Sequence, residues 1–281
     1  MMKLLSTTCL IIALVATAFA QQLSKTEIPR EDFQKIVAEY HSASPESFVH
    51  TWMRTLPAPA TANASLHPEI IKNLPAPIAK LRVNDNELDE EIAQVLGPVL
   101  SQYNRGRSYQ IIIIQYPTPA IIFDSVATLV FSTGMLFHAE SDDALLGAVA
   151  HEIAHELYAK RLRDLRQKYQ LLSRDPDNGG LLHATLVSLA EVELQCDAFA
   201  AVTLSVIGRN PKEFAKLLLD LSSDFHEDIA TDHPSAEIRA KLISAIVPQA
   251  ALAVEPQRTK HLVITKMLAA RVISTSAARR N

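Results

Sequence analysis

The chain has 281 residues, enough for one large domain with extensions, and a formal net charge of -4. This balance does not fit a nucleic-acid-binding protein that depends on a basic surface. Apolar residues make up 48% of the chain, which excludes global disorder, and the small number of glycines, 7, favours helices over a β-sandwich.

The first twenty residues have the features of a signal peptide. Lys3 supplies a positive start, residues 10–16 are all apolar, and residues 18–20 form a small-x-small cleavage pattern. An uncleaved membrane anchor is the alternative, although the apolar run is short for a span of about 20 residues. We therefore expect residues 1–20 to be removed, leaving a periplasmic or secreted protein that starts at Gln21.

The mature chain would contain a single cysteine. Cys9 leaves with the signal peptide, so Cys196 has no partner for an internal disulfide. We expect a buried, unreactive thiol at this position.

Residues 21–80 are predicted to hold N-terminal helices and a Pro/Ala-rich linker. Apolar residues at helical spacing from Phe33 to Tyr40 predict a first helix, and Ser-Pro-Glu at residues 44–46 marks the start of a second. Repeated prolines over residues 55–79 predict an extended, irregular chain.

Residues 81–250 are predicted to form the main domain, α+β and mainly helical. The apolar spacing from Leu88 to Tyr103 predicts an amphipathic helix that Pro98 should kink or split. Four consecutive isoleucines predict a buried strand, and residues 120–131 predict one or two more. After Ser141 the pattern predicts helices, with breaks at residues 175–180, at residues 208–211 and near Asp232.

Residues 251–281 are predicted to form a basic C-terminal tail or helix, since no acid follows Pro256. Such a segment could touch an anionic membrane surface. We favour a packed terminal helix with a solvated end.

The residues His151, Glu152 and His155 form the strongest chemical pattern. Two histidines four apart lie on one face of a helix, where both imidazoles can reach one Zn²⁺ at about 2.0–2.1 Å. Glu152 can then act as general base on a water activated by the metal. Residues 144–150 are apolar on every side, so these polar groups would be buried and need partners. The alternative is an ordinary buried hydrogen-bonded cluster.

A catalytic zinc needs a third protein ligand. Glu193 and Asp197 lie one turn apart and interrupt a helical stripe that is otherwise apolar. Acids on a core-facing stripe must be paired or bound to metal. We therefore predict Glu193 as a ligand and Asp197 as the group that orients a ligand imidazole through its other nitrogen. An exposed acidic face is the alternative.

The combination of His-Glu-x-x-His at residues 151–155 with Glu-x-x-x-Asp at residues 193–197 resembles the M-forty-eight peptidases. That family includes the prenyl proteases of Ste-twenty-four type, the mitochondrial Oma protease and bacterial envelope heat-shock proteases. His233-Pro234 with Arg239 resembles the family's His-Pro motif and trailing arginine, and residues 208–211 resemble a turn of the family. The resemblance runs from about Leu88 to Ile246.

The resemblance implies a zincin-like metallopeptidase domain with a small sheet beside the zinc-binding helix. It implies one Zn²⁺ per chain and a polypeptide substrate. Glu152 would be general base and acid, His233 would stabilise the oxyanion, and Arg239 would be structural. Residues 119–125 depart from the family because they lack its glycines, and that region would supply the edge strand for the substrate.

Three functions follow from this pattern. The first is a zinc-dependent endopeptidase acting on unfolded or misassembled envelope proteins. The second is a catalytically weak or inactive protein of the same fold that acts as a chaperone or binding module, although a pseudoenzyme would not need Glu152. The third is a zinc hydrolase with a substrate other than peptides.

Overall fold

The computed structural model describes residues 27–41, 81–103, 110–124, 128–224 and 233–278. The predicted signal peptide, the second N-terminal helix and the Pro/Ala-rich linker lie outside these residues. Within the described ranges, no helix has the length and apolar character needed to cross a membrane.

Helices dominate the described chain, so the prediction of a mainly helical α+β fold is confirmed. The helices are α1 (Arg30–His41), α2 (Asn86–Gln102), α3 (Thr133–His138), α4 (Asp142–Leu172), α5 (Gly179–Val206), α6 (Pro211–Asp224), α7 (Ala236–Ile246), α8 (Gln249–Leu252) and α9 (Thr259–Ala278). The strands are β1 (Gln110–Ile114), β2 (Ile121–Asp124) and β3 (Thr128–Ser132).

The three strands form one mixed sheet in the order β1-β3-β2. The central strand β3 is parallel to β1 and antiparallel to β2. Ile113, Leu129 and Phe131 belong to the main core, whereas Ile112 and neighbouring residues form a small cluster of their own. Apolar side chains on both faces explain why the sequence shows a continuous apolar run here instead of alternation.

The two longest helices, α4 and α5, make the most extensive contact in the fold. Only residues 173–178 connect them, so they run in opposite directions as a helical hairpin. From residue 192 to residue 204 every side chain of α5 is buried. This part of α5 has no side that faces solvent, so it lies at the centre of the domain, whereas residues near the start of the helix, such as His183, are exposed.

Pro98 does not split α2, which is continuous over 17 residues. Proline removes the hydrogen bond that its N–H would give to the carbonyl of Gln94. Gln94 lies on the exposed face of the helix, where water can satisfy that carbonyl, so the helix tolerates the proline. The predicted break at residues 175–180 is also shorter than expected, because Gly179 already begins α5.

The start of α4 is stabilised by an N-cap and by hydrogen bonds to the turn that precedes α6. The Ser141 hydroxyl accepts from the backbone N–H of Ala144 as an N-cap. The buried Asp143 carboxylate accepts from Arg209 and from the backbone of Asn210, which ties the turn at residues 208–211 to this end of α4.

Gly147 allows α6 to approach α4 closely, one turn before His151. A side chain at this position would overlap the ring of Phe214. The Phe214 ring then lies 6.3 Å from the His151 ring, between their centroids, and closes one side of the cluster described next.

Candidate metal centre

The hairpin of α4 and α5 brings His151, His155 and Glu193 together. Nε2 of His151 lies 3.2 Å from Nε2 of His155 and 3.4 Å from Oε2 of Glu193. Nε2 of His155 lies 3.6 Å from the same carboxylate oxygen. These three residues form a group that could hold a metal ion.

The spacing of the three atoms fits a tetrahedral ion. Bonds of about 2.0–2.1 Å in tetrahedral geometry require ligand atoms about 3.3–3.4 Å apart. The observed separations of 3.2, 3.4 and 3.6 Å bracket that value. Octahedral geometry with the same bond lengths would bring neighbouring ligands to about 2.9 Å, shorter than any of the three.

Two of the three candidate ligands are buried, and solvent reaches the group from one side. The side chains of His151 and Glu193 are 4% and 3% exposed, whereas that of His155 is 17% exposed and that of the adjacent His233 is 29% exposed. A molecule approaching from solvent therefore meets His155 and His233 first. A catalytic metal site needs one such open side.

Asp197 lies behind His151, as the sequence predicts. Oδ1 of Asp197 is 2.9 Å from Nδ1 of His151, a close contact between two buried side chains. Arg239 binds Asp197 through two hydrogen bonds, of 2.7 Å from Nε and 2.6 Å from a terminal nitrogen. Arg239 thus compensates a fully buried carboxylate that would otherwise be costly to bury.

These contacts shift the pKa values of the buried groups. Burial alone would lower the pKa of His151, but the carboxylates of Asp197 and Glu193 outweigh it and raise the pKa to about 9. Burial would raise the pKa of Asp197, but Arg239 and His151 together lower it to about 2. The interior at this point therefore favours an anionic carboxylate and a positive partner beside it.

The pKa values of His155 and Glu193 are both lowered, for different reasons. Burial lowers the pKa of His155 to about 4, so its ring is neutral near pH 7 and has a lone pair available for a metal. Burial raises the pKa of Glu193, but the neighbouring imidazoles, His233 first, hold it well below its usual value. An ionised carboxylate and a neutral imidazole suit a divalent cation, and binding one would displace the proton that His151 holds in the metal-free site.

His233 is in direct contact with one of the predicted ligands, Glu193. Its Nδ1 is 2.6 Å from Oε2 of Glu193, the oxygen that also faces His151 and His155. Its ring lies 5.5 Å from the ring of His151, between centroids. The family resemblance predicts that His233 lies near a bound metal, but it does not predict the direct hydrogen bond to Glu193.

Glu152 lies on α4 directly after His151 and is half-buried. Its charge contributes to the raised pKa of the Cys196 thiol, so its carboxylate lies within electrostatic range of Cys196. Glu152 therefore lies close to the cluster but is not one of its three candidate ligands.

The neighbouring acid Glu191 points away from the cluster. It accepts a 2.6 Å hydrogen bond from Arg161 at the surface of the hairpin. Residues two apart on a helix lie roughly 200° apart, so Glu191 and Glu193 cannot face the same ion. The burial of Glu193 and the surface ion pair of Glu191 agree with the helical phase read from the sequence.

Two contacts around the cluster were not predicted from the sequence. The Cys196 thiol is fully buried, as predicted, but its Sγ also lies 3.6 Å from Nδ1 of His155. The Tyr40 hydroxyl of α1 donates to the carbonyl of Gln195, which ties the N-terminal helix to α5. The position of Cys196, three residues after Glu193, was the one available signal for the first contact.

No protein-family model matches this chain, and no curated protein has a significantly similar sequence.

Proposed function

We propose that this protein is a zinc-dependent endopeptidase with a zincin-like arrangement around α4. The observation that carries the proposal is the near-tetrahedral spacing of the Nε2 atoms of His151 and His155 and Oε2 of Glu193. Two histidines and a glutamate, with one open side, are a typical ligand set of catalytic zinc. Bound there, zinc would polarise a peptide carbonyl and lower the pKa of an attacking water.

The side chains around the ligands have separate tasks in this proposal. Glu152 accepts the proton of the attacking water and later delivers it to the leaving amine. Asp197 and Arg239 hold the His151 ring so that its Nε2 faces the ligand group. His233, on the exposed side, is placed to donate a hydrogen bond to the oxygen of the carbonyl under attack.

The sheet supplies a surface for an extended substrate. Strand β2 pairs with β3 on one side only, among the described residues, and it packs beside α4. Its outer edge therefore presents backbone N–H and C=O groups next to the helix that carries His151 and His155. An extended peptide can add to such an edge through main-chain hydrogen bonds. Because a folded protein seldom offers an extended segment, the arrangement favours unfolded or misassembled polypeptides.

The chaperone or binding-module alternative uses the same edge without cleavage. It does not account for Glu152 beside a buried His-His-Glu group, which is the arrangement that hydrolysis needs.

We also propose a periplasmic or secreted location, from the features of residues 1–20. A membrane-surface contact through the C-terminal segment has less support, because Ile264 and Leu268 of α9 are buried against the domain.

The substrate class is tested by comparing one protein in two states. The mature chain loaded with zinc should cleave casein, and it should cleave a disulfide-bonded globular protein after reduction and alkylation but not in its native form. Excess chelator should stop both reactions, and zinc should restore them. Fragments are detected by mass spectrometry. Failure to cleave either unfolded substrate would reject the endopeptidase in favour of the binding module.

A second prediction concerns His233. If its ring donates to the developing oxyanion, His233→Ala should lower kcat by about 10²–10³-fold with little change in KM. Steady-state kinetics on a fluorogenic peptide measure both constants, and zinc content is determined on the same samples. Loss of zinc from the variant would show that His233 is a ligand, and an unchanged kcat would remove it from the mechanism. His183, exposed on α5, is the control histidine.

A further inference from the structure

The buried thiol of Cys196 contacts the ring of His155, one of the candidate metal ligands. Sγ of Cys196 lies 3.6 Å from Nδ1 of His155, within hydrogen-bonding distance for sulfur. The thiol is fully buried and unpaired, and it lies on α5 between Glu193 and Asp197. Cys196 therefore lies three residues after a predicted ligand and directly before the carboxylate that contacts another ligand.

Each ligand imidazole uses one ring nitrogen for the metal and needs a partner for the other. The partner fixes the tautomer and the orientation of the ring, and its loss typically costs 10–100-fold in metal affinity. For His151 this partner is the Asp197 carboxylate, 2.9 Å from Nδ1. For His155, the contact to Nδ1 among the described residues is Sγ of Cys196.

The direction of the His155 hydrogen bond follows from the placement of its ring. Nε2 faces His151 and Glu193, at 3.2 and 3.6 Å, so Nε2 must hold the lone pair when a metal is bound. The neutral ring then carries its proton on Nδ1, which donates to Sγ. A thiol sulfur is a weak acceptor, so this hydrogen bond is weaker than one to a carboxylate.

We propose that Cys196 is a positioning residue for the metal site, whose sulfur accepts from Nδ1–H of His155 and so turns Nε2 toward the metal. The proposal rests on the proposed zinc site and adds a residue to it. It also explains why a cysteine occupies a fully buried position in α5 without a disulfide. The two ligand imidazoles would then be held unequally, His151 by a carboxylate and His155 by a sulfur.

The test replaces the sulfur with a hydrocarbon side chain. Cys196→Val is one methyl group larger and has no acceptor, so it should bind zinc about tenfold more weakly than the parent, at the lower end of the usual range for such losses. Zinc affinity is measured by competition with a chelating dye. Long-range ¹H–¹⁵N spectra of the zinc-loaded proteins report the Nδ1–H resonance of His155, which should shift in the variant because this N–H no longer donates to sulfur.

Thr203→Val is the matched control, since it also removes a buried hydrogen-bonding group from α5 without changing shape. Thr203 contacts Tyr103, far along the helix from the ligands, so this variant should lower the melting temperature but leave zinc affinity unchanged. If Cys196→Val does not fold, Cys196→Ala provides the same comparison.

The outcomes separate this inference from the proposed function. A parent that binds zinc, with Cys196→Val binding equally well and showing the same His155 spectrum, would overturn the role of Cys196 alone. A parent that binds no zinc would overturn both proposals. Weaker binding in both Cys196→Val and Thr203→Val would show a general packing effect and would also overturn the positioning role.

Discussion

Glu152→Gln is expected to lower peptide cleavage by several orders of magnitude while the protein keeps its zinc. The amide retains the shape of the side chain but cannot accept the proton of the attacking water, a loss worth at least about 10²–10⁴-fold for an acid–base group. Zinc should remain because the candidate ligands are His151, His155 and Glu193. Initial rates of casein cleavage and zinc content of the same samples test both parts.

Glu156→Gln is the matched control for this experiment. Glu156 lies one turn after Glu152 on α4 and is also half-buried, but it follows the second histidine, His155, instead of lying between the two. Its variant should keep close to full activity. A Glu152→Gln rate within tenfold of the parent would contradict the assignment of the general base.

Glu193→Ala should abolish zinc binding, whereas Glu191→Ala should leave it intact. Glu193 is 2% exposed and its Oε2 faces both ligand histidines, so its removal leaves two ligands of three. The carboxylate of Glu191, 18% exposed, pairs with the more exposed Arg161 and is not among the candidate ligands. Zinc stoichiometry after dialysis against a mild chelator compares the two variants directly.

Zinc should raise the melting temperature of Glu191→Ala but not that of Glu193→Ala. Zinc that binds only the folded state stabilises it, so Glu193→Ala loses that contribution along with the ion, and zinc should no longer raise its melting temperature. For Glu191→Ala the increase with zinc should match that of the parent. Loss of zinc from Glu191→Ala with retention by Glu193→Ala would mean that the third ligand is wrongly assigned.

The sequence was sufficient to predict the residues of the cluster because helical periodicity decides which side chains share a face. His151 and His155 are four apart, and Glu193 shares its stripe with apolar residues, so burial and direction followed from spacing alone. The buried strand β1 was predictable for a similar reason. Isoleucines at consecutive positions indicate apolar contacts on both faces of a sheet.

Contacts between helices were less predictable, because they depend on how two helices pack and on rotamers that spacing does not determine. The sulfur of Cys196 reaches His155 only because α5 crosses α4 at this level. The hydrogen bond of His233 to Glu193 depends on how the chain enters α7. The continuity of α2 through Pro98 depended on which side of the helix faces water.

Titration of the metal-free mature protein with zinc, followed by the rate of casein cleavage, distinguishes a zinc-dependent endopeptidase from an inactive zinc-binding protein. The rate should rise in proportion to added zinc and stop rising at about one equivalent per chain, the stoichiometry of a single three-ligand site. Zinc that binds at one equivalent without producing cleavage, or cleavage that does not depend on zinc, would show that the protein is not a zinc-dependent endopeptidase.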